Sequence, residues 1–408
     1  MSNTRVLAIS SVVFLATLFA PRAIATTYVV DASGGGQFTD IPAAIAAAQP
    51  GDVLLVQSGT YSAFTLDKGL TIIGYGQPHV AGTATIQLVP AGQTAVLSSC
   101  APTDVAVLGC AGPIILQDLD TIHHVDVETS ADVRFRNVDV NPVGLPEIDA
   151  CDVASSRVEY VRGSAHGEGG LACTGHDGKN GWTVTQSSRV QLALANANGG
   201  DGSSCSFPAP SGDGGSALSV VDSTMIVAGG GVSVILGGDQ GQGYFDCLTN
   251  GNSGYAAAVS FSSSFSYSGA QLVCYDEYFG HACIDGGCAP VQGTATLVTP
   301  DDPTLDVSGS MTSGGSATFT LRAPPGSSAI LYFGRHAVLI PDPSGGIEQL
   351  TQKSRIVHLG TIPASGRATF TWPIALGLPA GTILIAQAEV TVAPGDVRHT
   401  NSIPVVVR

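Results

Sequence analysis

The chain has 408 residues, of which only 12% are charged, and its 32 acidic side chains against 16 basic ones give a formal net charge of −16 at pH 7. That sign is opposite to what a polyphosphate-binding surface uses, so nucleic acid is not expected as a partner. With 52 glycines and 23 prolines among abundant Val, Thr, Ser and Ile, the composition excludes a helical architecture and predicts an all-β chain of many short strands.

At the N-terminus, Arg5 precedes an apolar run from Val6 to Ala20, and Ala23-Ile24-Ala25 supplies the small-x-small pattern of a signal peptidase site. The run is shorter than the about 20 apolar residues that span a bilayer, and Pro21 and Arg22 end it abruptly. Residues 1–25 are therefore read as a secretory signal cleaved after Ala25, and no later apolar segment reaches spanning length. The mature chain is expected to be secreted or held at the cell surface. Loss of Arg5 and Arg22 leaves 14 bases against 32 acids, a net of −18, and the lysines are only Lys68, Lys179 and Lys353. Any positive clamp for phosphate or uronate falls to a handful of arginines.

From Tyr28-Val29-Val30-Asp31 the chain runs through Gly34-Gly35-Gly36 to a helical stretch, Ile41 to Ala48, that ends at Pro50-Gly51-Asp52. Strand-like runs follow at Val53 to Val56 and Leu70 to Ile73, with Gly59-Thr60-Tyr61 between them. A short amphipathic helix over the open end of a stacked core is what a solenoid needs, because its terminal coil otherwise exposes apolar side chains and unpaired backbone. On Phe38-Thr39-Asp40-Ile41, Ala44-Ile45, Gly51-Asp52, Gly59-Thr60-Tyr61 and Leu70-Thr71-Ile72-Ile73-Gly74, the segment from Val30 to Gly76 resembles the N-terminal cap and first coils of the pectin lyase-like superfamily, and pectin methylesterases open in a similar way. The resemblance implies a right-handed parallel β-helix. It is specific for the fold and does not itself imply an activity.

Further along, Ser155-Ser156-Arg157-Val158 recurs as Ser187-Ser188-Arg189-Val190, with looser echoes at Asp222-Ser223-Thr224-Met225 and Ser262-Ser263-Ser264-Phe265. A fixed strand motif with loops of variable length marks coils whose insertions point outward. Placing Val133 over Val158 sets Val133, Phe135, Val158 and Tyr160 inward, and pairs Asp132 with Arg157 and Arg134 with Glu159 on the exposed side. Arg134 and Arg157 are thus expected to be charge-matched ladder residues rather than the base or clamp of a lyase. All nine cysteines lie beyond the signal and belong to an oxidising compartment. Cys100 and Cys110 are positioned to close a small loop, and at least one bridge is expected among Cys173, Cys205 and Cys247. Cys274, His281, Cys283 and Cys288 match no common zinc spacing.

Near Val291 the glycine-rich loops give way to strand candidates at Ala317 to Leu321, Ala329 to Phe333, Ile356 to Leu359, Ala368 to Trp372, Thr382 to Val392 and Ile403 to Val407. The β-helix is assigned to residues 26–290 and a separate antiparallel β-sandwich to 294–408.

No catalytic residue and no cofactor is assigned. Gln117-Asp118 resembles the Gln-Asp step of pectin methylesterases, but neither a second carboxylate motif nor a downstream Arg-x-Trp accompanies it. Ala165-His166-Gly167-Glu168 and Gly175-His176-Asp177-Gly178 approach the Gly-His-Gly element of polygalacturonases without its paired carboxylate steps, so these histidines are read as solvated. Asp177, Asp201, Asp213 and Asp239 sit beside glycines whose carbonyls are hard-oxygen donors, and are the weak calcium candidates; their spacing fits no known calcium loop, and glycine-rich turns are the preferred reading. The function expected is that of an exported, non-catalytic protein that binds or adheres to a polysaccharide or other cell-surface component. The alternative is a divergent polysaccharide-active lyase, hydrolase or esterase.

Overall fold

The computed structural model describes residues 25–142, 148–170, 176–203, 211–239, 253–260, 262–273, 290–299, 301–334, 339–340, 349–350 and 355–408. Residues 1–24, which hold all but the last residue of the expected signal, the loop cysteines Cys173, Cys205 and Cys247, and the Cys274, His281, Cys283 and Cys288 group lie outside them.

The cap forms as its sequence predicts. Asp40 ends the preceding loop in extended conformation and accepts from the Ile41 and Ser62 backbone N–H groups at 2.9 and 3.0 Å, starting the helix Ile41–Ala47. At the other end, Lys68 Nζ donates to the Ile45 and Ala48 carbonyls at 2.9 Å each, where a cation also suits the helix dipole. Ile41, Ala44 and Ile45 are buried against the first coil. The conspicuous Gly51-Asp52 and Tyr61 serve the same junction. Asp52 accepts from Thr26 and Gln49 N–H groups, and Tyr61 donates its hydroxyl to the Gln57 carbonyl at 2.8 Å.

Beyond the cap the chain alternates between two parallel sheets. Among the described residues, eleven strands from Thr27–Val30 to Thr296–Leu297 form one, and nine from Thr60–Leu66 to Val291–Gln292 form the other. Each pass advances one coil, which makes the parallel β-helix. Val133 pairs with Val158 and Arg134 with Glu159, the register expected. Arg157, Arg189, Thr224 and Ser264 stack in turn, so the serine repeats are successive coils. The serines themselves face inward at one corner. Ser130, Ser156 and Ser188 each donate their backbone N–H to the hydroxyl of the serine one coil on, at 2.9 to 3.1 Å, and each hydroxyl donates to a carbonyl. The repeat is therefore a ladder that satisfies polar backbone where the strands turn.

Inside, Phe135, Tyr160 and Trp182 pack in succession, the first pair tilted and the second T-shaped, with ring centroids 5.5 and 5.0 Å apart. The small loop that Cys100 and Cys110 could close is not closed by a bridge. Both are buried free thiols filling core positions, their Sγ atoms directed at the Ser98 and Ile86 carbonyls. Burial pushes the Cys100 thiol up to about 12, so it is a small apolar filler rather than a reactive group.

The long strands of the larger sheet each bend at one left-handed residue: Asp118 (φ 52°), Asn137 (55°), Arg162 (60°) and Leu194 (54°) occupy the same place in consecutive coils. In the next coil this place is taken by the insertion Gly229-Gly230-Gly231-Val232, where the register with the neighbouring strand shifts.

The C-terminal part is antiparallel. Thr304–Ser310, Ser316–Arg322 and Arg367–Pro373 form one sheet; Arg355–Thr361, Ser328–Gly334, Ile383–Ala393, Asp396–His399 and Ile403–Val406 form the other. Phe319, Phe333 and Trp372 pack between them, with Phe333 centroids 5.1 and 4.4 Å from its two partners. The echoing Ala-Thr-Phe-Thr segments lie side by side, Phe319 opposite Phe370. This sandwich does not stand apart from the solenoid. Val53, Ile73, Val96 and Ile115 point outward from the larger parallel sheet and cluster with Val406, while Val161 and Ala193 enter the sandwich core.

Candidate functional site

The covered face takes up several of the charged residues singled out in the sequence. Asp118 of the Gln-Asp step accepts from Arg136 at 3.1 Å, from Asn137 Nδ2 at 3.1 Å and from Arg408 at the chain end. It is a docking carboxylate, with its lone pairs already directed at donors. Arg134 donates through Nε and an Nη to both oxygens of Asp132 at 2.9 and 2.8 Å. Its charge is matched, but by Asp132 two residues away rather than by Glu159 across the ladder, and the expectation of an exposed ladder is also corrected: Arg134 is 1% exposed, because the sandwich lies over it. Glu159 beside it is also buried and accepts from the Ser402 N–H and hydroxyl. Burial pushes the Glu159 carboxyl up, opposed by Arg134 and the Ser402 hydrogen bonds.

The glycine-rich loops are not plain turns. Segments 166–170, 176–181, 198–203, 211–217, 237–239 and 253–255 lie alongside one another and exchange backbone hydrogen bonds every third residue. Gly199 and Gly202 donate to Leu236 and Asp239 carbonyls, while Gly200 and Ser203 donate to those of Lys179 and His176. A period of three is that of an extended three-fold helix, which has no internal hydrogen bonds and must find partners outside. Neighbours approach so closely that a Cβ at Gly178, Gly199 or Gly200 would sit 1.8 to 1.9 Å from a carbonyl oxygen. Glycine is therefore required by packing.

Within this bundle Asp177 accepts from the Asp213 N–H and Asp201 from the Asp239 N–H, each at 2.8 Å. The four calcium candidates are thus brought together as two pairs, each using one carboxylate to bind the next coil's backbone. Among the described residues no three His, Cys, Asp or Glu side chains are grouped so as to hold a metal ion. His166 is half-buried rather than solvated. Its Nδ1 lies 2.9 Å from Asn198 Nδ2, and burial lowers its pKa.

A constellation the sequence did not disclose lies on the outer side of the nine-stranded sheet, away from the sandwich. Register stacks Asp126 on Asp152 and Asp152 on Thr183. His124 Nε2 is 3.8 Å from Asp152, and its Nδ1 is 2.8 Å from the Asp149 carbonyl. Asp149 in turn accepts from the Asn180 N–H at 2.7 Å and the Thr183 hydroxyl at 2.5 Å. Burial and the neighbouring Asp149 push the Asp152 carboxyl up to about 6, with His124 opposing and Asp126 adding to the rise. The Asp126 carboxyl is also raised, first by burial and then by Glu128. Two stacked carboxylates of which one keeps its proton toward neutrality, beside an imidazole, form an acid–base set. The one signal in the sequence is the coil step of 26 residues that superposes Val125 and Cys151, visible only once the register is known.

No helix among the described residues is long and apolar enough to cross a membrane. No family model matches the chain, and no curated protein matches it in sequence.

Proposed function

We propose that the chain is an exported, non-catalytic β-helix protein with a binding or adhesive role at a cell surface or in the extracellular space, its partner a polysaccharide or another surface component. The likeness of its cap to the pectin lyase-like superfamily supports this setting. The observation that carries the reading is the sandwich lying along the larger parallel sheet. Arg134 there already pairs with Asp132, Asp118 with Arg136 and Arg408, and Glu159 with Ser402, whereas cleavage of a polymer needs an open cleft with groups left to meet it. The test is to incubate the purified full chain with a panel of acidic and neutral polysaccharides. Retention on at least one, with no new reducing ends and no unsaturated-uronate absorbance, is expected. Release of either product overturns the non-catalytic part, and retention on none overturns the binding part.

A divergent polysaccharide-active enzyme is the second reading, favoured by the Asp126, Asp152 and His124 set on the open sheet. Loss of a measured depolymerisation in Asp152→Asn, with the fold intact, would carry it.

A further inference from the structure

The echoing Ala-Thr-Phe-Thr segments differ in one respect. Ser316–Arg322 is flanked on both sides, by Thr304–Ser310 and Arg367–Pro373, whereas Arg367–Pro373 is the last strand of its sheet among the described residues. A strand so placed carries backbone N–H and C=O groups with no ladder to join. Which groups these are follows from the pairing. The Ile374 N–H donates to the Gly315 carbonyl and the Ala323 N–H to that of Gly366, at 2.9 and 3.0 Å. By the two-residue alternation of an antiparallel pair, Ala368, Phe370 and Trp372 therefore spend their backbone groups on Ser316–Arg322, and Thr369 and Thr371 direct theirs away from the sheet. Pro373, which has no N–H to give, falls in the outward set, as a proline on an edge strand must.

Proteins guard such edges with charge, proline, a bulge or a covering element, and the other edges of the sandwich are guarded. Thr304–Ser310 lies against the solenoid, with Asp306 on Arg162 at 2.5 Å. Arg355–Thr361 carries Arg355, His358 and a left-handed Gly360 (φ 76°), and its register shifts beside Ala329. The remaining edge is shared by Asp396–His399, with its charged Asp396 and Arg398, and Ile403–Val406, with Pro404. In Arg367–Pro373, by contrast, the register is unbroken over all 7 residues, and nothing from Ala368 to Trp372 is a charge, a proline or a glycine. Thr369 and Thr371 are exposed on the outer face. Phe370 and Trp372, on the inner face, are only partly buried although both pack on Phe333.

We propose that this edge pairs with the same edge of a second copy of the chain, antiparallel about a two-fold axis at Phe370, so that two three-stranded sheets become one. The strand is self-complementary in that register. Thr369 of each copy comes opposite Thr371 of the other, and every outward threonine N–H then meets a threonine carbonyl. Thr–Thr pairs are favourable across strands, and within the sheet the Thr318 and Thr371 hydroxyls already lie 3.1 Å apart. Ala368 comes opposite Trp372, and Phe370 opposite its own counterpart in a pair without hydrogen bonds, where side chains approach most closely. Arg367 comes opposite the uncharged Pro373, which keeps the two arginines about 20 Å apart along the strand. This palindromic placement of Arg367 with Pro373 and of Thr369 with Thr371 selects a second copy over an unrelated strand as the occupant. Such a contact is isologous and closes at two. It goes beyond the binding role proposed above and does not depend on it.

The test is sedimentation velocity of the full chain across concentration, with amide exchange read at Thr369 and Thr371, on the parent and on Thr371→Lys, Thr369→Pro and Ser308→Lys. The parent is expected to show a reversible monomer–dimer equilibrium in roughly the micromolar range, its two threonine amides exchanging more slowly as the dimer fills. Thr371→Lys puts a charge on the edge and Thr369→Pro removes an outward N–H; each is expected to weaken association by about tenfold or more. Ser308 is exposed on the same face but on the far strand of the sheet, and Ser308→Lys should dimerise like the parent. All three variants should melt like the monomeric parent. If Thr369→Pro does not fold, Thr371→Lys and the exchange of the parent decide. A parent still monomeric at about 100 μM overturns the proposal, as does a dimer on which Thr371→Lys has no effect, or exchange at Thr369 and Thr371 that does not change with concentration. Growth past two into an open-ended assembly overturns the two-fold register.

Discussion

Asp152 is the side chain whose chemistry departs furthest from its ordinary behaviour on an open surface. Its carboxyl is raised from 3.8 to about 6, so the folded chain holds this proton more tightly than the unfolded chain does. The associated stability is fully present below 3.8 and is lost as pH rises through about 6. Asparagine carries no charge to desolvate. Asp152→Asn is therefore expected to melt above the parent at pH 7 and level with it at pH 3, a difference on the order of 0.5 kcal/mol after allowing for screening at a side chain that is 42% exposed. Thermal melts at the two pH values check this. No local motif announces the set, because Asp126 and Asp152 are a full coil apart and meet only through parallel register. Arg134 was easier to read. Its register opposite Glu159 follows from strand alternation, whereas its partner Asp132 and its burial do not, the burial because it depends on a segment more than 250 residues further on.

Among the elements, strands were more legible than loops. The serine repeats stack as read, and the strand candidates of the C-terminal part coincide with Ser316–Arg322, Ser328–Gly334, Arg355–Thr361, Arg367–Pro373, Ile383–Ala393 and Ile403–Val406. Alternation of apolar and polar residues records which side of a strand is buried, so such elements show in a single segment. The glycine bundle shows in none, because its hydrogen bonds all run between segments, and flexible composition there resembles turns or metal loops. The bundle makes a sharp steric prediction. A Cβ at Gly200 would stand 1.9 Å from the Glu168 carbonyl oxygen, whereas one at Gly169 finds its nearest atom at 3.5 Å. Gly200→Ala is expected to destabilise by about 1–3 kcal/mol and to speed amide exchange at Gly202 and Ser203, while Gly169→Ala should leave both close to the parent. Amide exchange read by mass spectrometry separates the two outcomes.

At the scale of the whole molecule, the parallel sheet is buried on both sides, and there was a sign of it. Val53-Leu54-Leu55-Val56 and Ile114-Ile115-Leu116 are continuous apolar runs, the pattern of strands covered on both faces. What covers them was not legible, because nothing in a sandwich strand names the surface it packs on. A chain ending after Thr299 is expected to expose Val53, Ile73, Val96, Ile115, Val161 and Ala193, to bind a hydrophobic dye and to self-associate. Dye fluorescence and sedimentation compare it with the full chain; a monomeric, dye-silent truncation would show that the sandwich is not needed to shield the sheet.

The ties between the two parts also impose an order in time. Arg408 reaches Asp118 across 290 residues of chain, and Ser402 reaches Glu159 across 243. Neither contact can close until synthesis has delivered residues 402 and 408, whereas each coil needs only the coil before it. The coils are therefore free to wind progressively while their outer side stays uncovered, and Ser402 and Arg408 act as a clasp fastened after them. Its fastening time is the interval during which the emerging chain is most exposed to capture by chaperones, proteases or its own copies.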